Sequence, residues 1–228
     1  MILAPPPAPA GYREPARAPR PGPGTGARLW LLRHGEVTAE HVGTAYGDAD
    51  VPLSDHGLEQ TERLAASFAD RGATLVASSP LERSRRLGEA ISRAAEAPLR
   101  IDARLTELHR GDWQGLPRAE YAQRWWSARE AYWADPLGWS GHGGESEAAL
   151  LERVWPMVAE LAEEAQPDDI MVLTTHRNVV RSLVAAALGL PIGRSHALRI
   201  DPARGMLLVD EPGGWTLVGS NLATPGTL

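Results

Sequence analysis

Two histidines and two arginines stand where an apolar run gives way to a turn or to the helix after it. Arg33-His34-Gly35-Glu36 follows the apolar residues Leu29-Trp30-Leu31-Leu32, and Thr174-Thr175-His176-Arg177 follows Ile170-Met171-Val172-Leu173. Between them, Ala77-Ser78-Ser79-Pro80-Leu81-Glu82-Arg83 ends another short run; Ser79 suits a helix cap, and Pro80 suits the first helical position. A neutral imidazole is a nucleophile or a proton carrier, and a guanidinium is a permanent cation whose planar fork meets two oxygens at once. Gly35 lets the backbone turn and approach a ligand closely. Glu107, beside Gly111-Asp112-Trp113-Gln114-Gly115, is either an ion-pair partner or a proton donor. Each segment alone has an ordinary structural explanation. The force lies in their conjunction, because residues just past successive strand ends converge in an α/β sheet.

The elements that must position these groups are legible from period and turn residues. Strands are expected at 29–32, 74–77, 99–102 and 170–173, with helices over 58–68, 81–95, 147–165 and from the fourth strand to Leu188, where Gly189 fits the C-terminal cap. Strands alternating with helices imply an α/β domain, a three-layer sandwich around a largely parallel sheet. Ligands of such sheets sit at the carboxyl ends of the strands. Residues 197–201, 205–210 and 215–220 read as three closing strands. The stretch 112–142 interrupts the alternation and carries five of the eight tryptophans, which suggests a small helical cap with its own apolar core. Residues 1–26 read as a disordered Pro/Ala/Arg-rich tail, with eight of the 19 prolines between Pro5 and Pro23, leaving 27–228 as the folded domain.

The net charge of −6 argues against nucleic acid as a partner and requires a local basic pocket for any anionic substrate. With no cysteine, thiol chemistry, disulfides and Cys-based zinc sites are excluded. No apolar run has the length of a membrane span and the start lacks the pattern of a secretory signal, so a cytoplasmic protein without a membrane partner is expected. No clustered pair such as His-x-x-x-His or His-x-Asp suggests a metal site, and no cofactor is called for.

Taken in chain order, Arg33-His34-Gly35-Glu36, Tyr46-Gly47 with Pro52-Leu53-Ser54 and Gly57, Ser78-Ser79-Pro80-Leu81-Glu82-Arg83, Glu107 with Gly111-Asp112-Trp113-Gln114-Gly115, Gly143-Gly144-Glu145-Ser146, and His176 resemble the histidine phosphatase superfamily, or phosphoglycerate mutase-like fold. Within it the chain is most similar to the α-ribazole and broad-specificity phosphatases. The resemblance implies a metal-independent phosphomonoesterase acting on a small phosphate ester through a phosphohistidine on His34. Arg33, Arg83 and His176 would surround the phosphoryl oxygens, and Glu107 would serve as the proton donor. Gly35, Thr38, Tyr46, Gly47, Arg177, Glu145 and Ser146 would contact the substrate, and a homodimer is compatible with this reading. Two residues depart from the family pattern: Glu40 stands where Asn is usual, and Arg177 where Gly usually follows the second histidine. The alternatives are a phosphomutase of the same fold, disfavoured by Glu107-Leu108-His109-Arg110 in place of Glu-Arg-His-Tyr, and a degenerate phosphate-binding protein. His41, His56, His109, His142 and His196 are all expected to be surface or structural groups, with His142, just ahead of Gly143-Gly144-Glu145-Ser146, the first candidate for an exception as a substrate-loop residue.

Overall fold

Residues 24–224 are described by a computed structural model, so the expected tail lies outside the described residues up to residue 23. Its last residues are already anchored: Thr25 N–H donates to a carboxylate oxygen of buried Asp210 at 2.9 Å.

The run Leu29–Leu32 becomes strand β1 (Arg28–Arg33) because both of its faces are covered. Trp30 and Leu32 pack with Leu64, Phe68, Leu87 and Ile91 of the segment around α1 (Asp55–Ala66) and of α2 (Glu82–Ala95). Leu29 and Leu31 pack with Leu150, Val154, Met157, Val180 and Leu183 of α4 (Glu147–Glu164) and α5 (Arg177–Leu188). A strand buried on two sides needs an unbroken apolar run rather than alternation. The result is three layers, with the cores on either side of one sheet.

The sheet has six strands in the order β3-β2-β4-β1-β5-β6, where β2 is Leu75–Ser78, β3 Leu99–Ile101, β4 Ile170–Thr175, β5 Gly205–Glu211 and β6 Gly214–Leu222. The first four in that order are parallel; β5 and β6 are antiparallel. Two registers matter for the site. Arg33 lies opposite Thr175, and Ser78 lies opposite Thr174. His34, Ser79 and His176 therefore leave three adjacent strands at the same level.

Only two of the three expected closing strands form. Residues 192–197 make a 3₁₀ turn and 198–204 stay irregular. The free edge of β1 is taken by β5, and the carbonyl of Ile200 accepts from Arg33 Nη1 at 2.8 Å instead of joining a ladder.

The 112–142 stretch is built on α3 (Arg118–Ala134). Trp113, Trp125, Tyr132 and Trp139 meet mostly edge to face, with ring centroids 4.7–6.1 Å apart, geometry that suits the aromatic quadrupole. Trp126 lies outside this cluster, 57% exposed, under the guanidinium of Arg129. Among the described residues no helix is long and apolar enough to cross a membrane.

Candidate active site

His34 continues straight from β1 and is 1% exposed. Its Nδ1 lies 2.7 Å from the carbonyl oxygen of Gly35. A carbonyl can only accept, so Nδ1 carries the hydrogen and Nε2 keeps its lone pair. Gly35 itself is required by crowding: a Cβ there would collide with the backbone of Gly57, and one on Gly57 would collide with that of Glu36. The loop after β1 is thus pressed directly onto the start of α1.

His176 is fully buried, its ring centroid 5.2 Å from that of His34. That separation is about the ~4.8 Å spacing of neighbouring strands, as the shared register demands. Its Nε2 and the Ser79 hydroxyl are hydrogen-bonded at 2.8 Å. Ser79 therefore serves the second histidine, and its hydroxyl also accepts the N–H of Leu81 at 3.3 Å, just ahead of α2, which begins at Glu82 with Leu81 and not Ser79 in the cap position.

Arg83, one residue into α2, is completely buried and reaches back under the loop after β1. Its Nη1 and Nη2 donate to the carbonyls of Ala49 and Gly47 at 2.6 and 2.9 Å, and its guanidinium lies 5.1 Å from the Tyr46 ring centre. Those two carbonyls fix the fork while its charge remains beside both imidazoles. Burial, then Arg33 and Arg83, hold the His34 pKa well below the ordinary histidine value. Burial, Arg83 and His34 do the same to His176. Both rings are neutral at neutral pH.

Glu107 is also buried. Its two carboxylate oxygens accept the backbone N–H groups of Leu108 at 2.8 Å and of Asn178, in the first turn of α5, at 3.3 Å. The loop that carries it is tied to β4 by the Thr175 hydroxyl, which donates to the Leu105 carbonyl at 2.7 Å. Arg33, Tyr46, Glu107, Arg110, Tyr121 and Arg177 line a cavity of about 310 Å³ in front of these groups. Buried polar atoms without a hydrogen-bond partner are few in any protein. Among the described residues there are eight, and three of them, Arg33 Nε, Arg83 Nε and His176 Nδ1, belong to this one cluster. No group of three or more His, Asp or Glu side chains arranged to hold a metal occurs among the described residues.

The structure brings His34, His176, Arg33, Arg83 and Glu107 together, with Gly35, Tyr46, Gly47 and Arg177 around them. It places three expected substrate contacts elsewhere. Glu145 is paired with Arg153 at 2.6 Å, and Arg153 Nη1 donates to the Arg104 carbonyl, so the Gly-Gly-Glu-Ser segment braces the Glu107 loop from behind. Ser146 caps α4 by accepting from Ala149 N–H at 3.1 Å. Thr38 is not part of the cavity wall; its hydroxyl lies 3.4 Å from Glu40. Glu40, standing where the family has Asn, is 72% exposed beside His41 and outside the wall. His142 is buried against Trp113 and Trp139 and accepts the Gly144 N–H at 3.0 Å, a structural role. Arg110, Tyr121, Asn178 and Pro202 line the cavity without having been singled out from sequence. Only the position of Asn178, two residues past His176, carried a usable signal.

The model of the histidine phosphatase superfamily, branch 1, matches residues 29–223. The chain belongs to this superfamily. It is 37% identical over 171 residues to the glucosyl-3-phosphoglycerate phosphatase of Mycolicibacterium vanbaalenii, across 72% of this chain and 76% of the relative. It is 30% identical over 174 residues to the adenosylcobalamin/alpha-ribazole phosphatase of Escherichia coli, across 76% and 85%. The solved structure of a mycobacterial glucosyl-3-phosphoglycerate phosphatase with VO3 superposes with a TM-score of 0.75 at 31% identity, covering 86% of this chain and 99% of that one. As a histidine phosphatase, the chain has a site that fits phosphomonoester hydrolysis.

Proposed function

We propose that this phosphatase needs no metal and hydrolyses small phosphate esters through a phosphohistidine on His34. The observation that carries the reading is a neutral, tautomer-fixed imidazole set beside a second imidazole and two guanidiniums, with three buried unpartnered nitrogens in the same cluster. His34 Nε2 attacks phosphorus in line, and the bond to the leaving oxygen breaks. Glu107 acts as the general acid and delivers a proton to that oxygen. Glu107, now a carboxylate, takes a proton from water; the resulting hydroxide attacks phosphorus, and the N–P electron pair returns to Nε2. Arg33, Arg83 and His176 stabilise the charge on the three non-bridging oxygens, the task a metal performs in other phosphoryl-transfer sites. Nδ1–H, held by the Gly35 carbonyl, keeps Nε2 aimed at phosphorus. Phosphorylated sugars and ribazole derivatives, the compounds in the relatives' names, are the substrate classes to try first.

The test is chemical trapping. The protein is mixed with a ³²P-labelled phosphate ester in excess EDTA and quenched in alkali. Label that survives alkali, is released by acid, maps to His34 and vanishes in His34→Ala is the expected result. Turnover abolished by EDTA, or label on another residue, overturns the proposal.

A further inference from the structure

Arg177 is a cation that folding alone does not favour. It opens α5, where the helix end is already positive, and Arg181 stands one turn further along the same helix. Burial, with Arg181 and Arg33 nearby, pulls its pKa down to about 10, so it stays charged at neutral pH in an unfavourable setting. It has no hydrogen bond or ion pair among the described residues, although it lines the cavity beside Tyr121 and Asn178. The wall's two carboxylates are engaged elsewhere: Glu36 accepts the Ser54 hydroxyl at 3.3 Å, and both oxygens of Glu107 hold backbone N–H groups. A third arginine, Arg110, lines the same cavity. The basin thus carries more positive charge than one phosphoryl group calls for, in a chain whose net charge is −6.

Building on the phosphatase reading, we infer that Arg177 binds a carboxylate on the alcohol portion of the substrate, so that acidic phosphate esters are preferred over neutral ones. The planar fork of a guanidinium fits a carboxylate with two parallel hydrogen bonds, a geometry a lysine lacks. Arg177 lies next to His176 in the chain, so such a carboxylate sits close to the phosphoryl group. Arg33 and Arg83 remain with phosphate, and Arg177 selects the rest of the molecule.

The test compares 3-phosphoglycerate with glycerol 3-phosphate, which differ only in a carboxylate against a hydroxymethyl group. The readout is the ratio of their kcat/KM values, in the unaltered protein and in Arg177→Gln. The expected ratio favours the acid by about 10- to 100-fold, the size of a charge-assisted hydrogen bond, and falls by most of that factor in the variant. Equal kcat/KM for the two esters in the unaltered protein overturns the inference whether or not the variant folds. So does a preference that survives Arg177→Gln, or a loss that strikes both esters equally, which would place Arg177 on the phosphoryl group. A protein that hydrolyses neither ester, nor any other phosphomonoester, overturns the phosphatase reading beneath it.

Discussion

Arg181 offers the sharpest test of how the scaffold holds the site. It is completely buried in α5 and has three partners: Glu147, the Ser195 hydroxyl at 2.7 Å from Nη1, and the Asn178 side-chain oxygen at 3.0 Å from Nε. Glu147 in turn accepts the Ser182 hydroxyl at 2.6 Å. Breaking a buried ion pair from one side leaves an uncompensated charge and costs about 3–5 kcal/mol. For a chain of this size each kcal/mol lowers Tm by about 2–4 °C, so Arg181→Met should unfold about 6–20 °C earlier. Glu147→Leu should do the same, because it strands the guanidinium. The double variant Arg181→Met/Glu147→Leu removes both charges and replaces them with apolar groups of similar volume, and most of the loss should return. Circular dichroism melts of the four proteins complete the cycle. The double variant should still lose turnover, because Asn178, whose N–H holds Glu107, no longer has its side chain fixed. Single variants within about 1 kcal/mol of the parent, or a double variant as unstable as the two losses added, would falsify the assignment of this pair as a buried, mutually dependent unit.

Two further outcomes follow from the site. Glu107→Gln should slow an alkyl phosphate by about 10²- to 10⁴-fold while p-nitrophenyl phosphate, whose leaving group needs no proton, loses far less; equal slowing of both, or none, removes Glu107 from the donor role. In acid, His34 and His176 are held well below their unfolded value and His142 is held down to about 4, all chiefly by burial. The folded chain then binds fewer protons than the unfolded chain below about pH 6.5, so stability is full above that pH and falls beneath it, by up to about 1.4 kcal/mol per pH unit for each group. Urea midpoints measured from pH 8 to pH 4 should be flat and then decline; a midpoint unchanged between pH 7 and pH 5 contradicts the burial of neutral rings.

Much of the site was legible because strand ends are legible. An unbroken apolar run of four with a charged or imidazole residue within the next three positions marks the carboxyl end of a strand buried on both faces. Two such ends in parallel register must bring their next residues together, as His34 and His176 show. What could not be read was where a side chain goes once it leaves a loop. Glu145 and Glu147 lie two residues apart near the start of one helix and look like solvated helix-start acids. One is clamped to Arg153 behind the Glu107 loop and the other to Arg181 in the core. Their partners lie 8 and 34 residues further along the chain, and no local period announces them. The segment 197–201 failed for a related reason. Its apolar alternation at Leu198 and Ile200 is real, and Ile200 is buried, but the edge of β1 beside it is already paired with β5.

Burial accounts for both halves of the proposed chemistry. Removing water disfavours every charged form, and crowding several cations together pushes all of their pKa values the same way. A histidine starts near the working pH, so the shift leaves His34 and His176 neutral, with a free lone pair on the ring that must attack. An arginine starts so far above it that Arg83 and Arg177, shifted in the same direction, remain cations. One dry, positively charged basin therefore yields an uncharged nucleophile and a charged clamp side by side, and holds them so at acid pH where an exposed histidine would be protonated. A phosphoryl dianion entering it reverses the field: it relieves the repulsion among the arginines and makes protonation of His176 easier at the moment when charge on the non-bridging oxygens must be stabilised. The cationic crowding that weakens the empty fold is the reserve from which binding draws.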